Sequence, residues 1–262
     1  MSELDLTLPH RLWRGLHNGL ARAGVPKWVP VPVRPEGGYY IVSADLREVA
    51  VPSAMRWEHY RFGWDKRVAR LFRHFSVGDK IKVAPGDHVI DIGANVGEMS
   101  LGLAALGANA LAIEGDPKVF ECLSRNVADT ANITPVQGLV WKAAERLTFY
   151  SAPTKADSSI FRPDDAQEVQ TVELDAHPLD VLAENHGLDG IAFIKCDAEG
   201  AEPEVLEGAA DVLKRTRQIA LDTGPEREGA ETGAECEAIL KSHGFTVSHS
   251  TQGRKITFGI RT

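Results

Sequence analysis

Carboxylate side chains end four apolar stretches of this chain, and they are the residues best placed to do chemistry. The positions are Asp91, Glu114, the pair Asp197 and Glu199, and Asp222. Carboxylates accept hydrogen bonds from ligand hydroxyls, take a proton from a reacting alcohol, or hold a divalent cation. In an open α/β sheet, ligands bind outside the carboxyl ends of the strands. If the apolar stretches are parallel strands, these acids converge on one ligand site.

The first acid leads into a glycine-punctuated turn, Asp91-Ile-Gly-Ala-Asn-Val-Gly97. A dinucleotide fingerprint needs two further glycines after Gly93, so that the backbone and the helix N-terminus can approach a pyrophosphate. Asn95 and Glu98 occupy those positions, and Glu98 places negative charge where the pyrophosphate should bind. A P-loop is also excluded, because no Gly-Lys-Ser/Thr sequence follows. The turn therefore favours a nucleoside cofactor without phosphate, and S-adenosylmethionine fits that description.

Glu114 is predicted to accept hydrogen bonds from both ribose hydroxyls of this cofactor. The rest of the cofactor is predicted to bind to Asp91, Gly93, Asn95 and Gly97. Among these residues, Asp91 is predicted to anchor the amino-acid part. A carboxylate against the sulfonium would stabilise the ground state more than the transition state, so neither acid is assigned to the sulfur. The alternative is that the glycines only permit tight strand–helix packing and that Asp91 caps the helix.

Asp197 and Glu199 follow another apolar stretch and are the candidate catalytic bases. His59 or His177 is an alternative base if the flanking segments fold over the site. Asp197 is also a candidate cofactor contact. Both acids have an alternative role at a helix start, where the helix dipole favours negative charge. Asp197 and Asp222 are predicted to end neighbouring strands, so this pair is a candidate Mg²⁺ site that would acidify the acceptor hydroxyl. No third ligand is evident, and a metal-free site stays open.

Strands and helices are predicted to alternate from residue 86 onward, which is typical of a mostly parallel sheet covered on both faces. The predicted strands are 88–93, 110–114, 134–140, 191–197, 217–223, 244–250 and 255–260. The predicted helices are 97–106, 117–130, 177–186, 201–215 and 231–243. A Gln252-Gly253 turn predicts that the last two strands form an antiparallel hairpin closing the sheet.

An irregular insertion over residues 141–175 interrupts this pattern. It contains two strand-like pieces, Arg146–Ser151 and Glu168–Leu174, and a polar loop over Lys155–Ser159. The insertion and the N-terminal third are expected to shape the acceptor site. Residues 81–262 are accordingly predicted to form the cofactor-binding domain, and residues 1–80 an N-terminal extension.

The extension is predicted to begin with a basic amphipathic helix over residues 9–23, followed by an extended proline-rich connector. The helix has two open interpretations, packing on its own domain or a second copy, and contact with a membrane surface. Gly38–Ala44 is predicted to be a strand and Ala54–Phe75 a helix. Aromatic residues of that helix are either core or a lid over the pocket, and Tyr60 is the candidate cofactor contact among them.

Composition narrows the functional classes. The 262 residues carry a net charge of −8, which disfavours non-specific nucleic-acid binding. Three cysteines without metal-ligand spacing are typical of reduced thiols in a cytoplasmic protein. No apolar run approaches the ~20 residues needed to span a bilayer, and no signal-peptide core is present. Oligomeric state stays undetermined.

The segments Val89–Gly97, Phe193–Glu202 and Val205–Ala209 resemble the FkbM family of methyltransferases. The resemblance covers residues from about 86 to 250 and includes a polar insertion with paired serines, here Ser158 and Ser159. It implies a class I, Rossmann-like methyltransferase fold, with a seven-stranded, mostly parallel sheet whose last strand is antiparallel. This sequence departs from the family pattern around Glu114, where Ile113 replaces the usual aromatic residue and Gly115 replaces the usual proline. It also departs at Asp222, where a glutamate is expected.

The resemblance implies an S-adenosylmethionine-dependent O-methyltransferase that acts on a hydroxyl of a sugar, glycolipid or secondary metabolite. A small-molecule, saccharide or glycolipid acceptor is therefore expected. Two alternatives stay open, a non-catalytic module that keeps the fold for assembly and an NAD-dependent oxidoreductase.

Overall fold

The computed structural model describes residues 6–152, 158–162, 170–227 and 229–261. The first elements are α1 (Leu8–Arg22), β1 (Val33–Glu36), β2 (Tyr39–Ala44), β3 (Arg47–Val51), a 3-10 helix (Ala54–Tyr60) and α2 (Trp64–His74). The three strands pair antiparallel in the order β1-β2-β3. The predicted strand at β2 is confirmed, whereas β1 lies in the predicted extended connector and β3 is not anticipated by the sequence pattern.

The helix predicted over residues 54–75 is interrupted, which corrects that prediction. Gly63 separates the 3-10 helix from α2 and has a φ of +89°, which glycine adopts without the steric cost that other residues incur. The carboxylate of Asp45 packs against Gly63 and accepts a hydrogen bond of 3.1 Å from the backbone N–H of Trp64. A glycine and a distant aspartate thus divide one predicted helix into two.

Strands and helices alternate through the rest of the chain. In order they are β4 (His88–Ile92), α3 (Glu98–Ala105), β5 (Asn109–Glu114), α4 (Pro117–Val127), β6 (Ile133–Gln137), β7 (Leu139–Val140), β8 (Glu145–Ser151), β9 (Gln170–His177), α5 (Leu179–Asn185), β10 (Ile191–Cys196), α6 (Glu202–Glu207), α7 (Ala210–Lys214), β11 (Thr216–Asp222), β12 (Pro225–Arg227), β13 (Ala230–Glu231), α8 (Gly233–Ser242), β14 (Thr246–His249) and β15 (Ile256–Ile260). The predicted strand 134–140 and helix 201–215 are each divided in two, at Gly138 and around Gly208.

Within the described ranges, seven strands form one sheet in the order β14-β15-β11-β10-β4-β5-β6. Neighbours from β11 to β6 are parallel, whereas β15 runs antiparallel to both β11 and β14. The predicted fold class and its antiparallel last strand are therefore confirmed. The order reverses at β4 and β10, so the carboxyl ends of these central strands border the crevice where such sheets bind ligands.

Apolar side chains cover both faces of the sheet. Val89 and Ile90 are adjacent on β4 and are both buried, yet they belong to separate clusters on opposite faces. A third cluster joins the N-terminal strands to α4 through Val119 and Cys122. Cys122 and the other two cysteines are buried free thiols. The N-terminal region therefore packs on the central sheet through its own apolar core.

The insertion forms a small sheet of its own in the order β7-β9-β8. Strand β9 pairs antiparallel with β8 and parallel with β7. The strand-like character of both predicted pieces is confirmed at β8 and in the described part of β9. Residues 155–157 of the predicted polar loop lie outside the described residues, and so do residues 168 and 169 of the second predicted strand piece.

The first helix, α1, matches the predicted amphipathic segment but exposes part of its apolar surface. His17 and Ala21 are buried, and the His17 ring stacks on Trp28. Leu8, Leu12 and Leu16 are 70%, 67% and 55% exposed, so a leucine stripe faces solvent. No helix in the described part of the chain is long and apolar enough to cross a membrane.

Candidate active site

The turn between β4 and α3 is built from left-handed backbone conformations. Gly93, Asn95 and Gly97 have φ angles of +68°, +55° and +94°. A Cβ at position 93 would overlap the backbone carbonyl oxygen of Asp197, so glycine is required there. Asn95 tolerates this conformation better than most residues, and its Oδ1 accepts a hydrogen bond of 2.9 Å from the backbone N–H of Val96.

Asp91 is fully buried beneath this turn. Its carboxylate lies 3.1 Å from Nζ of Lys195 and accepts a 2.6 Å hydrogen bond from Ser100. Lys195 also donates to the carbonyl oxygens of Ile92 and Gly93, at 2.9 and 2.7 Å. Burial opposes the charge of Lys195, but the carboxylate of Asp91 raises the pKa of the lysine. Asp91 therefore holds the turn in place through Lys195. Its carboxylate does not line the cofactor cavity, and this placement does not support the predicted anchoring of the amino-acid part of the cofactor by Asp91.

Glu114 ends β5 beside the turn and is nearly buried. Its two carboxylate oxygens accept hydrogen bonds from the backbone N–H groups of Asn95 (2.8 Å) and Asp116 (2.9 Å). Burial raises the pKa of Glu114 to about 7, although both N–H groups oppose that rise. Each oxygen keeps a further lone pair for a ligand hydroxyl.

A cavity lies at the carboxyl ends of β4 and β5, between the turn and the insertion. Its apolar lining includes Val119, Leu139, Phe149 and Ile160. Its polar lining includes Arg56, Asn95, Glu114, Asp197 and Glu199. An apolar wall beside a carboxylate suits the base and ribose of a nucleoside, and we call this space the cofactor cavity.

The insertion is tied to this cavity by its paired serines. Ser158 donates a hydrogen bond of 2.8 Å to Asp116, which also caps α4. Ser159 donates one of 2.9 Å to the backbone carbonyl of Glu199. Ser151 on β8 donates a third, of 2.6 Å, to Asp116. The insertion is thus fastened to loops on both sides of the cofactor cavity.

The loop after β10 presents Asp197 and Glu199 to the cavity. Glu202 fixes this loop, because its carboxylate accepts hydrogen bonds from the N–H groups of Ala198 (3.0 Å) and Gly200 (3.3 Å). Burial raises the pKa of Glu202 to about 7. Glu199 has a φ of +50°, a conformation that costs free energy in residues other than glycine and that is frequent at functional sites.

A second cavity shares Gly93, Asn95, Asp197 and Glu199 with the cofactor cavity. Its remaining charged and titratable lining comprises His59, Arg67, Arg70, His74, Glu98, Lys195 and Arg254. We call it the acceptor cavity, because a ligand there would meet the cofactor cavity at the two candidate bases.

Tyr60 does not line either cavity, and the structure corrects its predicted contact with the cofactor. The ring is fully buried, and the hydroxyl donates a 2.8 Å hydrogen bond to Glu98. Arg67 donates to the same oxygen of Glu98 at 2.9 Å. Despite burial, the charge of Arg67 lowers the pKa of Glu98 to about 2. Tyr60 and its aromatic neighbour Trp57 are therefore core residues, and the hydroxyl of Tyr60 contacts the site through Glu98.

Asp222 ends β11 in a cluster with Asp197 and Glu226, whose carboxylate oxygens lie within 4.8 Å of one another. Arg254, from the loop before β15, enters this cluster. Its guanidinium lies 2.6 Å from Asp222, 3.2 Å from Glu226 and 3.7 Å from Asp197. Burial raises the pKa of Asp222 to about 6 and that of Glu226 to about 8. Glu226 is thus a third carboxylate beside the predicted pair, and Arg254 adds a cation to the cluster.

The structure therefore gathers five predicted site residues at the cofactor cavity: Gly93, Asn95, Glu114, Asp197 and Glu199. Gly97 packs instead against Leu123 and shapes the turn from behind. Four contributors were not anticipated as site residues: Arg56, Lys195, Glu202 and Arg254. Lys195 and Glu202 lie in the FkbM-like motif beside Asp197, so the motif could have indicated both as site residues. Arg56 and Arg254 lie outside any motif of the sequence.

A family profile described as "Methyltransferase FkbM domain" matches residues 91–247, more than half of the chain. The chain belongs to the FkbM methyltransferase family. It is therefore an S-adenosylmethionine-dependent methyltransferase, and the resemblance inferred from its motifs is confirmed. The FkbM match includes the turn, Glu114 and the loop after β10, but not α2 or Arg254.

Three curated relatives are similar to this chain, and two of them are named as methyltransferases. The 31-O-demethyl-FK506 methyltransferase FkbM of Streptomyces tacrolimicus is 28% identical over 207 residues, which are 64% of this chain and 75% of that protein. Methyltransferase sdnD of Sordaria araneosa is 26% identical, over 61% of this chain and 74% of that protein. The antimetabolite synthetase AmbE of Pseudomonas aeruginosa is 28% identical over 65% of this chain, but the match spans only 10% of that synthetase.

Proposed function

We propose that this protein transfers the methyl group of S-adenosylmethionine to a hydroxyl of a sugar, glycolipid or secondary metabolite. The observation that carries the proposal is the junction of the two cavities, where Asp197 and Glu199 border both. The similarity to the 31-O-demethyl-FK506 methyltransferase, whose name specifies an O-demethylated substrate, supports a hydroxyl acceptor. A non-catalytic module would have no need of two carboxylates at this junction.

The residues of the cofactor cavity fit the parts of S-adenosylmethionine. The apolar wall formed by Leu139, Phe149 and Ile160 suits the adenine, and Glu114 suits the ribose hydroxyls. The guanidinium of Arg56 donates to the side chain of Asn95 and is suited to the carboxylate of the methionine part. Glu98, held ionised at the start of α3, disfavours a pyrophosphate there and hence the oxidoreductase alternative.

The bound cofactor supplies an electrophilic methyl group on a positively charged sulfur. The protein's contribution is to hold the acceptor oxygen in line with that methyl, at a reacting distance of about 3–3.5 Å. Asp197 or Glu199 accepts the proton that the acceptor hydroxyl loses. Lys195 and Glu202 support these bases by fixing the backbone on either side of them.

The proposal is tested by calorimetric titration of the full chain with S-adenosylhomocysteine. Wild-type protein is expected to bind, and Glu114→Ala to bind about tenfold or more weakly, because a charged hydrogen-bond acceptor is lost. Glu121→Ala, which removes an exposed glutamate on α4, is the matched control and should bind normally. Failure of the wild type to bind, together with thermal stabilisation by NAD⁺, would contradict the proposal.

The catalytic bases are tested by transfer of labelled methyl to a panel of hydroxyl compounds. Asp197→Asn and Glu199→Gln are expected to bind S-adenosylhomocysteine while at least one of them loses turnover. Turnover unchanged in both variants would remove the two acids from the mechanism.

A reaction assisted by Mg²⁺ is an alternative mechanism, since carboxylate oxygens are the ligands that Mg²⁺ prefers. The candidate ligands are Asp197, Asp222 and Glu226. We propose that the transfer proceeds without Mg²⁺, because the guanidinium of Arg254 already pairs with all three carboxylates. Full activity is expected in EDTA. Loss of turnover in EDTA and recovery on adding Mg²⁺ would establish a metal-dependent reaction instead.

We further propose that α1 lies on an anionic membrane surface. Its exposed leucines are flanked by Arg11, Arg14 and Arg22, and the helix contains no acidic residue. Pairing α1 with α1 of a second copy would bring like charges together, so the charge pattern favours lipid headgroups over self-association.

A further inference from the structure

Helix α2 brings a row of basic side chains to the acceptor cavity. Arg67, Arg70 and His74 line it, at spacings of three and four residues that place them on one helix face. The helix as a whole contains Lys66, Arg67, Arg70 and Arg73 against one acid, Asp65. This basic wall belongs to a chain whose net charge is −8, so it is a local feature of the site.

Most cations at this cavity already have a carboxylate partner. Arg67 pairs with Glu98, Lys195 with Asp91, and Arg254 with Asp222. Arg70 is different, because it is exposed at the cavity and forms no ion pair with the described residues. A guanidinium with open donors at the wall of a binding cavity is suited to bidentate recognition of an anion.

His74 lies close enough to Arg70 for the arginine charge to act on its pKa. Burial lowers the pKa of His74, and the charges of Arg70, Arg254 and Arg67 lower it further. The pKa of His59 is lowered to about 4, first by burial and then by Arg67. Arg67 therefore acts on both histidines of this cavity, and Arg70 and Arg254 act on His74 as well.

The acceptor cavity also has two acidic lining residues, which it shares with the cofactor cavity. They are Asp197 and Glu199. A ligand with one anionic group would be repelled by these carboxylates and attracted to Arg70 and His74. Such a ligand would enter in one orientation, with its uncharged hydroxyl end at the candidate bases.

We propose that the acceptor is an anionic hydroxyl compound, whose carboxylate or phosphate group binds to Arg70 and His74. This inference rests on the proposed methyltransferase function. Arg70 supplies the charge and His74 a hydrogen bond. The methyl acceptor is then a hydroxyl at the other end of the same molecule.

The experiment uses inorganic phosphate and acetate as probes on the full chain saturated with S-adenosylhomocysteine. Titrations at constant ionic strength are followed by NMR chemical shifts of the labelled protein. At least one probe is expected to bind the wild type and to bind Arg70→Gln about tenfold more weakly, since a charged hydrogen bond is lost. Lys66→Gln removes one charge from the same helix outside the cavity lining and should bind as the wild type does. A preference for phosphate or acetate distinguishes a phosphorylated from a carboxylated acceptor.

Three outcomes would overturn this inference while leaving the methyltransferase proposal intact. They are binding of neither probe, equal weakening by Lys66→Gln and Arg70→Gln, and weaker S-adenosylhomocysteine binding by Arg70→Gln. The last result would assign Arg70 to the methionine carboxylate of the cofactor. Failure of the wild type to bind S-adenosylhomocysteine at all would instead reject the proposed function itself.

Discussion

Most buried charged residues near the site hold other residues in place and do not face a ligand. Lys195 and Glu202 lie on either side of Asp197 and each holds backbone groups, two carbonyls in one case and two N–H groups in the other. Replacing one partner of such an arrangement leaves a buried group without its hydrogen bonds, which costs about 1–3 kcal/mol. Substitution at these positions should therefore change stability and site geometry together.

Tyr60→Phe separates a structural from a cofactor-binding role. The variant is expected to lower the free energy of unfolding by about 1–2 kcal/mol, because the hydroxyl donates to the ionised Glu98. Affinity for S-adenosylhomocysteine should be unchanged by calorimetry. Tyr39→Phe, at a half-buried tyrosine of β2, is the control for loss of a hydroxyl. A large loss of affinity in Tyr60→Phe alone would return Tyr60 to the cofactor site.

Glu202→Gln is expected to alter the pH dependence of stability. Burial raises the pKa of Glu202 from 4.5 to about 7, so its ionised form is disfavoured in the folded state. The wild type therefore loses stability from this group as the pH rises from about 4.5 to 7. Glutamine removes that loss, worth up to about 3 kcal/mol at pH 8. Urea unfolding at pH 5 and pH 8 measures it, and identical pH dependence in both proteins would contradict the assignment.

Site residues at the carboxyl ends of predicted strands can be predicted from the sequence. Site residues from distant segments of the chain cannot. Glu114 and Asp197 are predictable because parallel strands bring their carboxyl ends to one edge. Arg56 reaches Asn95 from 39 residues away, and Arg254 reaches Asp222 from a different hairpin. Nothing in the local pattern around either arginine indicates those distant partners.

At the scale of elements, the central sheet follows directly from the alternation of apolar runs. The predicted helix and strand boundaries that are wrong are those that tertiary contacts determine. Gly63 divides the predicted helix over 54–75 because Asp45 and Trp64 stabilise the break. That break gives α2 its own start, and α2 then supplies the basic wall of the acceptor cavity.

Vesicle sedimentation tests the leucine stripe of α1. Wild-type protein should sediment with vesicles containing phosphatidylserine and much less with pure phosphatidylcholine, because its arginines favour anionic headgroups. Leu12→Ser with Leu16→Ser should abolish the effect, since the exposed apolar area is removed. Leu46→Ser is the matched control, being a fully exposed leucine outside the helix. Sedimentation that survives the double change, or concentration-dependent dimers that disappear with it, would reject the membrane interpretation.

At the scale of the whole molecule, the N-terminal extension and the cofactor-binding domain are joined by a shared core. Val119 and Cys122 of α4 are buried in the same cluster as Trp57, Tyr60 and the N-terminal strands. The division at residue 80 therefore stays a prediction about sequence organisation. It does not follow that the two parts fold separately.

Removal of residues 1–80 tests this dependence. The remaining chain is expected to expose the apolar side chains of α4, to aggregate or bind a hydrophobic dye, and to unfold without a cooperative transition. Loss of Arg56 and α2 should also weaken S-adenosylhomocysteine binding. A monomeric fragment that unfolds cooperatively and keeps full affinity would show that residues 81–262 are an autonomous domain.

The position of β15 determines when the edge of the central sheet can assemble during synthesis. This strand follows β14 in sequence but lies between β14 and β11 in the sheet. When β14 leaves the ribosome, its neighbour does not yet exist, so β14 cannot join the sheet until β15 has been made and inserted. The same late segment carries Arg254 to Asp222. A stop codon shortly before residue 254 would thus remove β15 and Arg254, and it would leave β14 without the neighbour that joins it to the sheet.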